Sequence, residues 1–173
     1  MYSDFISHTF ATLLILLLYS CKVAVGQTGD IEDEELLCRR CGHKVTSAEH
    51  LYSNKSPLAL SHRNDTILGH DDTLIQLFQN AHENRFELIT VKQADVYRHG
   101  VAVYDASWFP SYAWRITVCP RCGQHLGWSF EKGTEDHHSK KYVFYGLILA
   151  DLLHKDCRFH NFNCIAYVLN HAM

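Results

Sequence analysis

Hydrophobic and polar residues alternate on both sides of one short segment in the second half of the chain. Before it, apolar side chains occupy every second position from Trp114 to Val118, and after it they do so from Leu126 to Phe130. A period of two is typical of β-strands, so the two runs predict a β-hairpin. Pairing the strands back from the turn predicts that Trp114 and Trp128 lie on neighbouring strands and on one face of the sheet.

The rest of the chain carries short apolar runs between turn-forming residues, which is the pattern of a mainly β protein. The further predicted strands are residues 57–60, residues 86–91, two pieces around Gly100 within residues 96–104, and residues 142–153 with a short turn or helix. Residues 61–65 and 131–141 are polar or charged and are predicted to be loops. Residues 71–80 have mixed periodicity, which supports no prediction there.

The chain begins with a segment typical of a secretory signal peptide. Residues 10–21 form an apolar run, and this run is shorter than the ~20 residues that cross a bilayer. Small residues at Ala24 and Gly26 mark a cleavage site before Gln27. We therefore predict a signal peptide over residues 1–26 and a secreted, extracellular product that has no membrane contact in its mature form. A buried helix or a membrane anchor is the alternative.

Two further segments lie outside the region with strand patterns. Residues 27–36 are acidic and polar, and we predict that they form a linker. The tail, residues 154–173, has no clear fold signal but contains Cys157 and Cys164. In an oxidising compartment these two cysteines could form a disulfide, and free thiols are the alternative.

Composition limits the kinds of partner. The 173 residues, 47% of them hydrophobic, are enough for one domain with extensions. The formal net charge is −3 and no long run of Lys or Arg occurs, so we predict no nucleic-acid binding, which needs a basic surface. Glycosylation sequons begin at Asn54 and Asn64, and both fit a secreted chain.

Two Cys-x-x-Cys pairs, each followed by glycine, provide the candidate chemistry. The first is Cys38 and Cys41; the second, Cys119 and Cys122, forms the turn of the predicted hairpin. Four thiolates in two such pairs are a common tetrahedral ligand set for structural Zn²⁺, and they leave no open position for catalysis. A zinc ion held there would tie two distant segments together and close a long loop.

Other interpretations of these cysteines remain open at this point. They could form disulfides in a secreted protein, or one pair could be a thioredoxin-like redox site at a strand-to-helix junction. His43 and His125 lie near the two pairs and could replace a thiolate as ligand. The matching pairs favour Zn(Cys)₄, with both histidines outside the ligand set.

Three motifs in this region resemble one known family. They are SWFPSYAW at residues 107–114, CPRC at residues 119–122 and HLGWSF at residues 125–130. Together they are similar to the CULT domain, the ligand-binding domain of cereblon. The resemblance covers about residues 37–153 and ends near YGL at residues 145–147. It implies a β-tent fold, in which two antiparallel sheets are pinned by a structural zinc.

The resemblance also implies a binding site. In the family, the tryptophans that match Trp108, Trp114 and Trp128 form an aromatic cage, and Phe130 takes a floor or wall position. The cage holds cyclic imides such as glutarimide, can accept uridine, and in cereblon binds C-terminal cyclic imides on damaged proteins. Backbone near Ser107 and Trp108 would pair with the polar atoms of the ligand. From composition alone, the tryptophans could equally be ordinary core residues.

Three positions depart from the family pattern. Ala106 stands where cereblon has a histidine that hydrogen-bonds the ligand. Ser111 replaces a glycine, which is conservative only if its φ is negative. Asn64 is the nearest candidate for a loop asparagine of the family's site, although no proline follows it.

These observations lead to one main functional hypothesis and two alternatives. The main hypothesis is a secreted, zinc-containing module without enzymatic activity, which resembles single-domain CULT proteins and binds a cyclic imide, a uridine-like molecule or an imide-modified protein end. One alternative is a methionine sulfoxide reductase of type B, which shares the fold type but needs a nucleophilic cysteine; none lies between Cys122 and Cys157. The other is a protein-interaction module that captures a modified residue of a partner.

Overall fold

The computed structural model of the protein describes residues 34–132 and 142–155. The predicted signal peptide, most of the predicted linker, most of the charged loop and the cysteines of the tail lie outside these residues. Among the residues described, no helix has the length and apolar character needed to cross a membrane.

Ten strands and two single-turn 3₁₀ helices make up the described chain, which confirms the mainly β prediction. The strands are β1 (Glu35–Cys38), β2 (Lys44–Ser47), β3 (Ser61–Ile67), β4 (His70–Gln79), β5 (Arg85–Val91), β6 (Tyr97–Val103), β7 (Ala113–Val118), β8 (His125–Lys132), β9 (Tyr142–Ile148) and β10 (Leu152–His154). The 3₁₀ helices are Ala48–His50 and Leu149–Asp151.

The strands form two antiparallel sheets, as the resemblance implies. One sheet has three strands in the order β10-β1-β2, and the other has seven in the order β3-β4-β5-β9-β8-β7-β6. The chain passes from the large sheet to the small one through the second 3₁₀ helix, which separates β9 from β10. Strand β1 ends at Cys38 and strand β7 ends at Val118, directly before Cys119, so each sheet leads into one cysteine pair of a single cluster.

The predicted hairpin is confirmed as β7 and β8. Trp114 pairs with Phe130 and Ile116 pairs with Trp128, which places Trp114 and Trp128 on one face because residues two apart on a strand share a face. The predicted strand at residues 86–91 is confirmed as β5.

Other strand predictions were wrong or incomplete. Residues 57–60 form a turn and bend, and the segment predicted as a polar loop, residues 61–65, belongs to strand β3. The region around Gly100 is one strand, β6, with an irregular register and a positive φ of 74° at the glycine. Residues 142–153 form β9, a 3₁₀ turn and most of β10, as predicted.

Two clusters of buried residues stabilise the domain. One surrounds the cysteines and is mainly aliphatic, whereas the other contains the aromatic residues Phe78, Phe109, Trp128, Phe130 and Phe144. Aromatic rings bury large areas and favour edge-to-face packing. The second cluster therefore gives the candidate site a rigid base.

Candidate functional site

The four predicted zinc ligands converge at one point between the sheets. Their sulfur atoms all lie within 4.8 Å of one another, with Cys38 Sγ 3.7 Å from Cys122 Sγ and Cys41 Sγ 3.6 Å from Cys119 Sγ. A tetrahedral zinc ion with Zn–S bonds of about 2.3 Å separates its sulfurs by about 3.8 Å. The four cysteines thus fit a structural zinc ion, as predicted.

The two knuckles have the same backbone hydrogen bonds. In each, the amide of the first cysteine donates to a carbonyl five residues ahead, Cys38 to His43 and Cys119 to Gln124, at 2.8 Å. The carbonyl of the first cysteine then accepts the amide of the glycine four residues ahead, at 2.8 Å in the first knuckle and 2.9 Å in the second. Both glycines have φ near 70°, a conformation that glycine adopts without steric cost.

The alternatives for the cysteines do not match this geometry. All four are free, and sulfurs 3.6 to 3.7 Å apart are too far apart for the ~2 Å bond of a disulfide. Each pair lies between two strands of a hairpin and not at a strand-to-helix junction. Every cysteine of residues 34–132 and 142–155 belongs to this cluster, so this part of the chain offers no separate nucleophile to a reductase.

Protonation differs among the metal-free thiols. Burial raises the pKa of Cys38 to about 12, and burial also raises the pKa of Cys119. The backbone N–H of Gln124 stabilises the Cys122 thiolate and lowers the pKa of Cys122 to about 7. A zinc ion must therefore displace protons from the buried thiols when it binds.

Neither neighbouring histidine belongs to the cysteine cluster. His43 Nε2 lies 3.1 Å from a carboxylate oxygen of Asp95. His125 packs edge-on against Trp128, with ring centroids 4.7 Å apart and an interplanar angle of 89°. His125 therefore belongs to the aromatic site described next.

Three tryptophans meet around one cavity of about 540 Å³, which we call the tryptophan pocket. Trp114 and Trp128 come from the β7–β8 hairpin, and Trp108 comes from the segment that joins β6 to β7. The Trp108 and Trp128 rings form a corner, with centroids 4.7 Å apart and planes at 68°. Trp108 also stacks on Phe78 at 4.9 Å, and Phe130 packs against Phe109 at 4.5 Å.

Several lining residues were not predicted from the sequence. The full lining consists of Gln79, Asn80, Ala81, His82, Phe86, Ala106, Trp108, Trp114, Ile116, His125, Trp128 and Phe130. Gln79 is the last residue of β4, residues 80–82 lie in the turn between β4 and β5, and Phe86 is the second residue of β5. The missing signal was strand β4: had residues 71–80 been predicted as a strand, the following turn would have been a candidate for the pocket wall.

Two predicted ligand-binding residues do not line the pocket. Asn64 is exposed in the middle of β3, opposite Leu74 of β4, on an edge strand of the large sheet. The Ser107 hydroxyl stays within its own turn, where it donates to the Phe109 carbonyl at 3.1 Å and lies 3.4 Å from the Phe109 amide. The asparagine that reaches the pocket is Asn80, and its Oδ1 accepts the amides of His82 and Asn84, both at 3.0 Å.

Trp108 is fixed at both its ring and its backbone. Its indole N–H donates to the Gln79 carbonyl at 3.2 Å, and its own carbonyl accepts a hydrogen bond from the Ser56 hydroxyl. The amide of the buried Ser56 in turn donates to Gln76 Oε1 at 2.7 Å. Strand β4 therefore positions this tryptophan through Gln76 and Gln79, a link that the sequence did not reveal.

The segment that carries Trp108 has an unusual backbone. Ala106 has a φ of 52° and Ser111 a φ of 70°, which is the left-handed region that non-glycine residues rarely adopt. The replacement of the family's glycine by Ser111 is therefore not conservative. Ala106 lines the pocket, but its methyl group cannot form the hydrogen bond that a histidine side chain forms.

Comparison with known proteins points to the same family as the motifs. No family model matches the chain. It is 38% identical to "Protein cereblon" of Gallus gallus over 77 residues, which are 44% of this chain and 17% of that protein. It is 38% identical to Drosophila melanogaster cereblon over 68 residues, which are 39% of this chain and 11% of that protein. It is 54% identical to Drosophila persimilis cereblon over 41 residues, which are 24% of this chain and 6% of that protein. The chain thus spans less than a fifth of the length of these relatives.

Proposed function

We propose that the protein is a secreted module that binds a small, flat, polar ring in the tryptophan pocket. The similarity of the chain to the cereblon proteins supports this proposal. The observation that carries this proposal is the convergence of Trp108, Trp114 and Trp128 on one cavity. A cyclic imide such as glutarimide, or the base of uridine, is the ligand class that the resemblance implies. Zinc has a structural role, because four cysteines complete its coordination.

The pocket has the physical properties that such a ligand needs. Indole rings present large apolar walls that lose little conformational entropy when a ligand binds. A ring of this kind also carries N–H and carbonyl groups, and burying them without partners would cost about 1–3 kcal/mol each. The polar groups of His82 and His125, and the backbone around Ala106 and Trp108, lie at the pocket wall and are the candidates to pair with them.

Calorimetric titration of the zinc-loaded protein with glutarimide and with uridine tests the proposal. We expect Trp114→Ala to weaken binding by at least about tenfold, which corresponds to about 1.4 kcal/mol. The control is Tyr97→Ala, which removes an exposed aromatic residue that does not line the pocket, and should leave binding unchanged. The absence of binding to either ligand by the zinc-loaded wild type would refute the proposal.

A protein chain that ends in such a ring is the second candidate ligand. Ile116 lines the pocket and is 39% exposed, so an apolar side chain stands at the mouth where the rest of a longer ligand would emerge. We expect a peptide with a C-terminal cyclic imide to bind more tightly than the free imide. Ile116→Ser should lower the affinity for the peptide to that for the free imide and leave the affinity for the free imide unchanged. Equal affinity for both ligands would favour the small molecule.

Secretion is a separate part of the proposal and has its own test. Expression of the full chain in a secretory host should give a product in the medium whose first residue is Gln27. A product that stays in the cell with residues 1–26 attached would refute secretion and leave the ligand-binding proposal standing.

A further inference from the structure

Two glycosylation sequons lie in the described chain, and the structure separates them. Asn64 is exposed near the centre of β3, an edge strand, and Thr66, the hydroxyl residue of its sequon, is also exposed. Within residues 34–132 and 142–155, no hydrogen bond involves the Asn64 carboxamide. A group attached to its Nδ2 atom would therefore displace no bond of the fold.

The sequon at Asn54 is held against the protein. The backbone of Asn54 is bonded on both sides: its backbone N–H donates to Thr90 Oγ1 at 3.2 Å, and its backbone carbonyl accepts from Gln76 Nε2 at 2.9 Å. Ser56, the hydroxyl residue of this sequon, is only 3% exposed and its hydroxyl donates to the Trp108 carbonyl. A large substituent here would lie against the segment that positions Trp108.

We propose that Asn64 carries an N-linked glycan and that Asn54 does not, an inference that rests on the proposed secretion. In the reaction, Asn64 Nδ2 attacks the anomeric carbon of a polyprenyl-diphosphate oligosaccharide. A C–N bond replaces the sugar's C–O bond, the amide loses one proton and the polyprenyl diphosphate leaves. The glycan would cover the outer side of β3, whose open backbone groups would otherwise be available to another strand.

The test uses the full chain with its own leader and, in parallel, residues 27–173 behind a heterologous secretory leader. Treatment with an amidase specific for N-linked glycans should reduce the mass of wild type and Asn54→Gln by one glycan, and leave Asn64→Gln unchanged. If residues 27–173 are secreted behind the heterologous leader but the full chain is not secreted with its own leader, the proposed secretion is refuted and the glycan site is not. A secreted wild type without a mass shift, or a shift that persists in Asn64→Gln, would overturn the assignment.

A second inference comes from the hydrogen bond of His125, and it deepens the proposed function of the tryptophan pocket. His125 Nε2 lies 3.1 Å from the Gly127 carbonyl oxygen. A carbonyl oxygen only accepts, so Nε2 carries the hydrogen and Nδ1 of the neutral ring is an acceptor. Burial lowers the pKa of His125, so the neutral ring prevails at pH 7.

The side-chain oxygens that line the pocket already accept hydrogen bonds: Asn80 Oδ1 from the amides of His82 and Asn84, and Gln79 Oε1 from Arg85 Nε. His82 is the other lining side chain with an imidazole nitrogen.

The indole N–H groups are donors and cannot accept from a ligand. The Trp108 indole N–H donates to the Gln79 carbonyl at 3.2 Å, and the Trp114 indole N–H donates to the Asp105 carbonyl at 2.8 Å. The side chain of Ala106 is a methyl group, so it offers no acceptor. An imide or uracil ring has an N–H donor, which requires an acceptor when it is buried.

We infer that His125 determines ligand specificity by accepting the ring N–H of the ligand at Nδ1, on condition that the pocket binds such a ring. The test compares glutarimide with N-methylglutarimide in wild type, His125→Phe and His125→Asn. We expect wild type to prefer the N–H compound by at least about tenfold, His125→Phe to lose that preference, and His125→Asn to restore part of it, because the asparagine oxygen lies close to the position of Nδ1.

The outcomes separate this inference from the proposed function. No binding of either compound to wild type would refute the proposed function itself. Binding by wild type together with an undiminished preference in His125→Phe would overturn only the inference about His125. A merely structural role of His125 would weaken both compounds equally, which also contradicts the inference.

Discussion

Removal of one zinc ligand should have a large effect on stability, because the metal joins segments that are far apart in the chain. The paired sulfurs belong to residues 84 and 78 positions apart. If the metal acts as a crosslink closing a loop of about 80 residues, the chain-entropy relation gives about 4.5 kcal/mol of stabilisation. With an unfolding entropy of about 2.1 cal/mol/K per residue over about 115 residues, this corresponds to a fall in Tm of about 15–20 °C.

The measurement combines metal analysis with thermal unfolding followed by circular dichroism. Wild type should contain one zinc per chain, and both chelation and Cys119→Ser should lower Tm by about the calculated amount. Arg121→Ala is the matched control, since the exposed Arg121 lies in the same knuckle as Cys119 but offers no metal ligand, and this change should alter neither value. The reasoning fails if Cys119→Ser lacks zinc but keeps a Tm within about 3 °C of wild type. It also fails if reduction destabilises the protein and chelation does not.

Three further predictions concern the backbone and one half-buried histidine. Ser111→Gly should stabilise the protein by about 0.5–1 kcal/mol in chemical denaturation, because glycine removes the cost of a φ of 70°. Ser107→Gly is the control and should give no gain in stability. A Ser111→Gly variant that is no more stable than wild type would contradict the left-handed conformation. Gly127→Ala should cost about 3–5 kcal/mol, because its φ is 141° and a Cβ there would overlap the Gly146 carbonyl oxygen; a cost below about 1 kcal/mol would refute that close approach. The pKa of His125 is lower in the folded state than in the unfolded chain. Wild type should therefore lose stability as pH falls below about 6.5, and His125→Gln should lose less. Parallel curves of stability against pH for the two proteins would refute this.

The hairpin and the metal site could be predicted because their signals are local. The alternation around Trp114 and Trp128 specifies both the strands and the shared face. Each knuckle is formed within six consecutive residues: the four from cysteine to cysteine, the following glycine and the residue after it. Pairing the two knuckles across the sheets required only the ligand number of zinc.

The remaining wall of the pocket could not be predicted, because it depends on tertiary burial. Strand β3 has polar residues on both faces, as edge strands often do, so its sequence resembles a loop. Strand β4 is buried on both faces along its second half, which removes the period of two. Without these strands, Asn64 was placed at the pocket and the turn at Asn80 was missed.

One hairpin carries both a half of the metal site and two walls of the tryptophan pocket. Strand β8 begins at His125, three residues after Cys122, and reaches Trp128 three residues later. Coupling between two binding equilibria is reciprocal. If zinc raises the affinity for a pocket ligand by ordering this hairpin, the ligand must therefore raise the affinity for zinc by the same factor. The rate of zinc loss to a chelator would then report ligand occupancy in a protein whose ligand has no signal of its own.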